Sequence, residues 1–306
     1  MGGETSQREI VWEQTETRPF NELILSWNAN RPEDGRLAFL IRVQKEGNWS
    51  PWLYYAEWGV FGQMLFKESP EDSFAESNRE KIKVKEGLCD GFAIKVIASG
   101  GASMSALKTL IASPIDLSEL KPARLPEKEL ESVLLSPVPR QSQITLRHPR
   151  YQDLSLPTAT SVAINYLLGR KAVDPSDFAR QVLDEDFDFY ESWVLNCAES
   201  AYRLGDGYRV HVERCADFET IHSSLKEGCP VLVGMRGFIT GGPRPFYTEH
   251  ALCLIGYDPG KQKVYCIDTA FPNEASTFVA YPLDQFLTAW AKQGNIACFF
   301  KTYKNR

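Results

Sequence analysis

A chain of 306 residues is long enough for two domains, and a formal net charge of -6 with a pI near 5.4 gives no basic footprint for a phosphate backbone or an anionic bilayer. Nucleic acid and membrane are not expected as partners, and no apolar run reaches the ~18 residues of a membrane-spanning helix. Seven cysteines (Cys89, Cys197, Cys215, Cys229, Cys253, Cys266, Cys298) form no CxxC pair, and four histidines (His148, His211, His222, His250) show no ligand spacing, so buried reduced thiols are expected, with no metal and no cofactor.

The N-terminus MGGETSQREIVWEQ lacks the apolar centre of a signal peptide, which predicts a cytoplasmic chain as it stands, or a secreted one if a leader has been removed. Its first six residues fit the loose myristoylation pattern and are read as a tail. Short alternating runs follow: FNELILSWNA, RLAFLIRVQ, WSPWLYYAEWG, KIKVKE, GFAIKVIAS and ALKTLIAS. Unbroken by any helical period, they predict a β-sandwich over residues 1–115. Trp12, Trp27, Trp49, Trp52 and Trp58 lie in this half and are expected to pack in its core, a carbohydrate-stacking surface being the alternative.

Residues 116–140, proline-rich and charged, read as an inter-domain linker. The pattern then changes over residues 141–306. Helical stretches PTATSVAINYLLG, DPSDFARQVL and YESWVLNCAESAYRLG precede strands YRVHVER, PVLVGMRG, HALCLIGYD, KVYCIDTA and FVAYP, an α+β order. DEDFDF, at 184–189, has no calcium-ligand spacing and reads as a solvated loop. GFITGGPRPF, at 237–246, reads as a rim loop over a cleft.

The helix predicted over 157–168 has Pro157 in its first turn and Gly169 just past its end, with Ala159, Val162, Ala163, Tyr166 and Leu167 on one buried stripe. A side chain at its N-terminus feels the positive end of the macrodipole and unpaired N–H groups, which favour an anion there. Ser155 stands at that start. On its own it is equally well an N-cap, as His250 is a core histidine, Asp268 a turn residue and Gln143 a surface residue.

Taken in order, VPRQSQ, SLPTATSVAINYLLG, TEHALCLIGYD and VYCIDTA resemble the motifs of C-39-like, bacteriocin-processing-peptidase-like cysteine peptidases of papain fold. FYESWVLNCAESAYRLG and YPLDQFLTAW resemble that family's middle helix and closing segment, and the N-terminal half resembles a β-rich domain that precedes the peptidase domain in one bacterial branch. The resemblance implies an all-β sandwich followed by a papain-like α+β domain, with Ser155 in place of the catalytic cysteine, His250 as base, Asp268 as orienter and Gln143 as oxyanion donor. The sequence departs from the family at Ser155, at Leu156 in place of a small residue, at Glu249 in place of glycine and at Thr269 in place of proline. A hydroxyl has no resting anion comparable to a thiolate, and a bulky Leu156 is expected to crowd the oxyanion position. The expectation is a degenerate peptidase that binds a peptide or peptide-like ligand. The alternatives are an active amide or ester hydrolase using Ser155, His250 and Asp268, a deliberately replaced cysteine, and a carbohydrate-binding or scaffolding protein acting through the tryptophan-rich half.

Overall fold

Alternating apolar residues pair the N-terminal runs into antiparallel sheets in a computed structural model that describes residues 8–60, 62–122, 125–126 and 130–303. The tail MGGETS lies outside the described residues. The strands are β1 (Glu9–Gln14), β2 (Glu22–Ala29), β3 (Arg36–Lys45), β4 (Asn48–Trp49), β5 (Leu53–Gly59), β6 (Gly62–Leu65), β7 (Lys67–Glu68), β8 (Ala75–Asn78), β9 (Ile82–Val84), β10 (Gly91–Ser99) and β11 (Leu107–Ile115). One sheet runs β1-β10-β3-β5-β6, with β4 on β3, and the other runs β11-β2-β9-β8-β7. Their inner faces meet at Trp27 of β2, whose ring stacks on Phe39 of β3 at 4.6 Å and meets the edges of Tyr55 and Trp58 of β5. Trp27 and Trp58 are fully buried, as a sandwich core requires.

The second half is α+β, built from β12 (Val133–Leu134), α1 (Ser155–Leu167), α2 (Pro175–Val182), α3 (Trp193–Leu204), β13 (Tyr208–Arg214), α4 (Phe218–Lys226), β14 (Val231–Gly237), β15 (Phe246–Asp258), β16 (Lys263–Ile267), β17 (Phe278–Pro282), α5 (Leu283–Ala291) and β18 (Ile296–Thr302). A seven-stranded sheet runs β13-β18-β14-β15-β16-β17, with β12 paired to β15. Residues 133–134, inside the stretch read as a linker, thus pair as a strand. Helix α1 packs on β15 and β14. It is buried around its whole circumference from Ser155 to Asn165, more than the single stripe expected, because α2 and α3 cover its other sides.

Chain contacts divide the molecule into two units, one running through Glu119 and taking in Asp184–Phe189, the other holding Leu120–Leu183 and Tyr190 onward. DEDFDF is therefore not a solvated loop throughout. Asp184 is fully buried and accepts the N–H of Leu65 at 3.0 Å, while Arg79 lies over the rings of Phe187 and Phe189 at 5.6 and 5.0 Å. The cause is local: the Leu65 N–H at the end of β6 needs an acceptor, and the Asp184 carboxylate supplies it. All seven cysteines are buried and unpaired.

Candidate active site

Helix α1 begins two residues before the proline that marks it in the sequence. Leu154 is the N-cap residue and gives no side-chain cap, so Ser155 is the first helical residue rather than the cap. The orphan donors of the first turn can be followed one by one. Leu154 N–H reaches Tyr151 O at 3.3 Å, Pro157 has no N–H, and Thr158 N–H closes the first turn on Leu154 O at 3.0 Å. Ser155 and Leu156 remain, and both point to Oε1 of Glu191, at 3.1 and 3.4 Å. The same oxygen accepts the hydroxyl proton of Ser155. One carboxylate oxygen thus caps α1 and holds the serine, a remote cap supplied from just before α3.

Ser155 Oγ also accepts the N–H of Ala251 at 3.1 Å, which fixes it beside the strand that carries His250. On β15, His250 donates Nε2–H to Oδ1 of Asp268 at 2.9 Å, leaving its Nδ1 edge as the one available to the cleft. Phe246 lies flat on the imidazole at 4.1 Å. Asp268, just past β16, is fully buried, and Tyr281 OH of β17 donates to its second oxygen at 2.6 Å while Ala270 N–H donates to the first at 3.0 Å. Burial pushes this carboxyl up, but the His250 charge and the three donated hydrogen bonds outweigh it and hold Asp268 below its ordinary value. Glu191 shifts the other way. Burial raises it, and the bonds from Ser155 and Leu156 with the nearby His250 recover only part of the shift.

Gln143 is buried behind the turn that leads into α1. Its amide nitrogen donates to Tyr151 O and Gln152 O at 3.0 and 3.1 Å, and its carbonyl accepts Thr269 Oγ1–H at 2.7 Å. Both amide hydrogens are spent, so in this arrangement Gln143 ties the turn before Ser155 to the residue after Asp268 and offers nothing to an oxyanion. Leu156 is likewise displaced from its expected role. Its side chain is buried and absent from the cleft wall, and it is its backbone N–H that faces Glu191.

Ser155, Glu191, Gln152 and Asp153 form one wall of a cleft, and residues 244–250 form the other, with Arg244 and Pro245 coming from the rim loop. Glu249, beside His250, receives Trp193 Nε1–H at 2.5 Å. Gly234 lies under that pair, where an added Cβ would stand 3.1 Å from both Glu249 Oε1 and the Trp193 ring. Among the described residues no group of three His, Cys, Asp or Glu side chains is placed to hold a metal ion.

Sequence reading supplied Ser155, His250, Asp268 and Gln143, and it missed Glu191. The available signal was an acidic residue directly before the α3 cap Ser192, which reads as an ordinary partner for that helix's own dipole.

A helix N-terminus set against a strand-borne His–Asp pair across a cleft, over a mixed helix and sheet layer, defines a papain-like peptidase fold. The model of the Peptidase_C39 like family matches residues 135–298, more than half of the chain, and the chain belongs to that family. Among solved structures it is similar to xylellain, a cysteine protease from Xylella fastidiosa, at 13% identity over 60% of this chain and 91% of that one, with a TM-score of 0.34. No curated protein matches it.

Proposed function

We propose that this chain is a catalytically impaired C39-type peptidase relative that holds an extended peptide or peptide-like ligand in the former substrate cleft. One observation carries the reading. Oε1 of Glu191 takes the Ser155 hydroxyl proton together with both N–H groups at the start of α1. Acyl transfer needs those same groups, a hydroxyl free to pass its proton to His250 and N–H donors aimed at the developing oxyanion. A carboxylate already seated there removes the donors and repels the second anion. The alcohol adds to the defect, because a cysteine near pKa about 8.5 ionises beside a histidine and a helix terminus whereas an aliphatic hydroxyl does not.

The rival reading, an amide or ester hydrolase working through Ser155, His250 and Asp268, is favoured by the intact His250–Asp268 pair and requires Glu191 to leave when substrate arrives. A carbohydrate platform finds less support. Trp27 and Trp58 are core, Arg42 lies over Trp49 and Trp52 at 4.4 and 4.7 Å, and Lys95 lies over Trp52 at 4.5 Å.

Exposure to a fluorophosphonate, with adducts mapped by mass spectrometry, separates these readings. The expected result is an unmodified Ser155 in a chain whose residues 244–250 gain amide-exchange protection from extended peptides. An adduct on Ser155 would promote the hydrolase, and the absence of protection by any peptide would remove the ligand assignment.

A further inference from the structure

The charged side chains that line the cleft differ in whether they already have partners. Asp153 is paired with Arg150 at 2.9 Å, Glu191 caps α1, and Glu249 receives the Trp193 indole. Arg244 lines the same cleft, is exposed, and has no hydrogen bond or ion pair among the described residues. Beside it Tyr247 is 81% exposed, presenting a ring and a hydroxyl to the same space.

The loop that presents Arg244 is pinned on both sides. Ile239 is buried, Thr240 N–H reaches Gln285 of α5 at 2.8 Å, and Gly242 N–H closes a turn on Ile239 O at 3.0 Å. On the far side Phe246 is buried on the His250 imidazole. Between these anchors Arg244 lies in the run Pro243-Arg244-Pro245. Pro243 fixes its own φ, and Pro245 keeps Arg244 out of the helical region, so the backbone that carries the guanidinium has little freedom left to lose on binding. A guanidinium of this kind matches a carboxylate through two parallel hydrogen bonds.

We propose that the cleft ligand carries a carboxylate, held by Arg244 with Tyr247 packing alongside. This rests on the reading of the cleft as a peptide site. The carboxylate is either the free C-terminus of a peptide or an Asp or Glu side chain within it.

The test uses the full chain and immobilised peptides of one length and otherwise neutral sequence, in three forms: amidated with no acidic residue, amidated with one Glu moved along the sequence, and with a free C-terminus. Binding is measured at low and at raised salt for the parent, Arg244→Gln and Arg244→Lys. Charge-assisted bidentate bonds predict that one acid-bearing form binds the parent roughly tenfold tighter or more than the neutral form. That preference should vanish in Arg244→Gln, return in part in Arg244→Lys and shrink with salt. Whether the Glu series or the free C-terminus carries the preference identifies the source of the carboxylate. Equal binding of neutral and acidic peptides, or a preference that survives Arg244→Gln, would overturn this inference while leaving the peptide site standing. Failure of every peptide to bind would overturn both.

Discussion

At residue 155 the proposed reading rests on the company the side chain keeps as well as on its oxygen. Ser155→Cys alone would place a thiol against the Glu191 carboxylate, which raises a thiol's pKa when the chemistry needs it lowered. Cysteine 155 is therefore expected to stay unreactive toward iodoacetamide near neutral pH, and the double variant with Glu191→Gln to alkylate roughly tenfold faster or more, as removing one adjacent charge implies. Mass-spectrometric mapping keeps the seven native, buried cysteines apart from the site. Equal reactivity of the single and double variants would remove Glu191 from this role. Because burial raises Glu191 above its ordinary 4.5 in the folded chain, the folded state holds its proton to higher pH than the unfolded state does. The stability this provides is full below 4.5 and is lost as pH rises through the folded-state value. Melting temperatures of the parent should therefore fall relative to Glu191→Gln across that window, and parallel curves would contradict the assignment. His250 and Asp268 were legible only through the resemblance of TEHALCLIGYD and VYCIDTA to the family's motifs, since alone they read as a core histidine and a turn residue. Glu191 was not, since it lies 36 residues from Ser155 and meets it only through the fold.

Among the elements, most long apolar runs with clear ends were readable, buried β18 being an exception, and several short or exposed ones were not. The runs behind β2, β3, β5, β10, β14, β15 and α1 were all visible, as was Gly169, which takes φ +64 beyond α1 as a residue without Cβ readily does. β1 was missed because it is an exposed edge strand, and β6, β7 and β8 because two to four residues carry too little periodicity to register. α4 was missed because its nine residues mix Thr, His and Ser on a short amphipathic face, although Asp217 caps it through Thr220 N–H at 2.9 Å. The adjoining strands β16 and β17 hold the Asp268 carboxylate from both sides, the aspartate just after one and Tyr281 on the other. Tyr281→Phe leaves Asp268 Oδ2 without that donor and should cost about 1.5 to 3 kcal/mol, as hydrogen bonds to charged groups do. Since Asp268 lies below its ordinary 3.8, its contribution is present above 3.8 and is lost as pH falls through the lower folded value. Urea unfolding should accordingly show the parent's advantage over Tyr281→Phe near neutrality, shrinking in acid. An undiminished difference at low pH would assign it to packing instead.

For the molecule as a whole, the change from strands alone to helices and strands was plain in the sequence, whereas the return of Asp184–Phe189 to the first unit was not. Six polar and aromatic residues between two helices have the composition of a loop. The buried Leu65–Asp184 bond and the Arg79 contacts show otherwise. A fragment beginning at Leu120 retains the whole seven-stranded sheet and its helices but deprives Asp184, Phe187 and Phe189 of these partners. Cooperative unfolding is expected to persist, with new protease cleavage confined to 184–189, which in the full chain is anchored by these contacts. Loss of cooperative unfolding in the fragment would make the two halves one folding unit.

The three bonds converging on one oxygen of Glu191 also couple two positions that lie far apart in the chain. On the proposed reading, placing a cysteine at 155 alone leaves the thiol facing the carboxylate, and removing the carboxylate alone uncaps α1 at a cost of about 1 kcal/mol while the side chain at 155 is still an alcohol. The capping carboxylate then acts as a ratchet, holding the pair together against single substitutions.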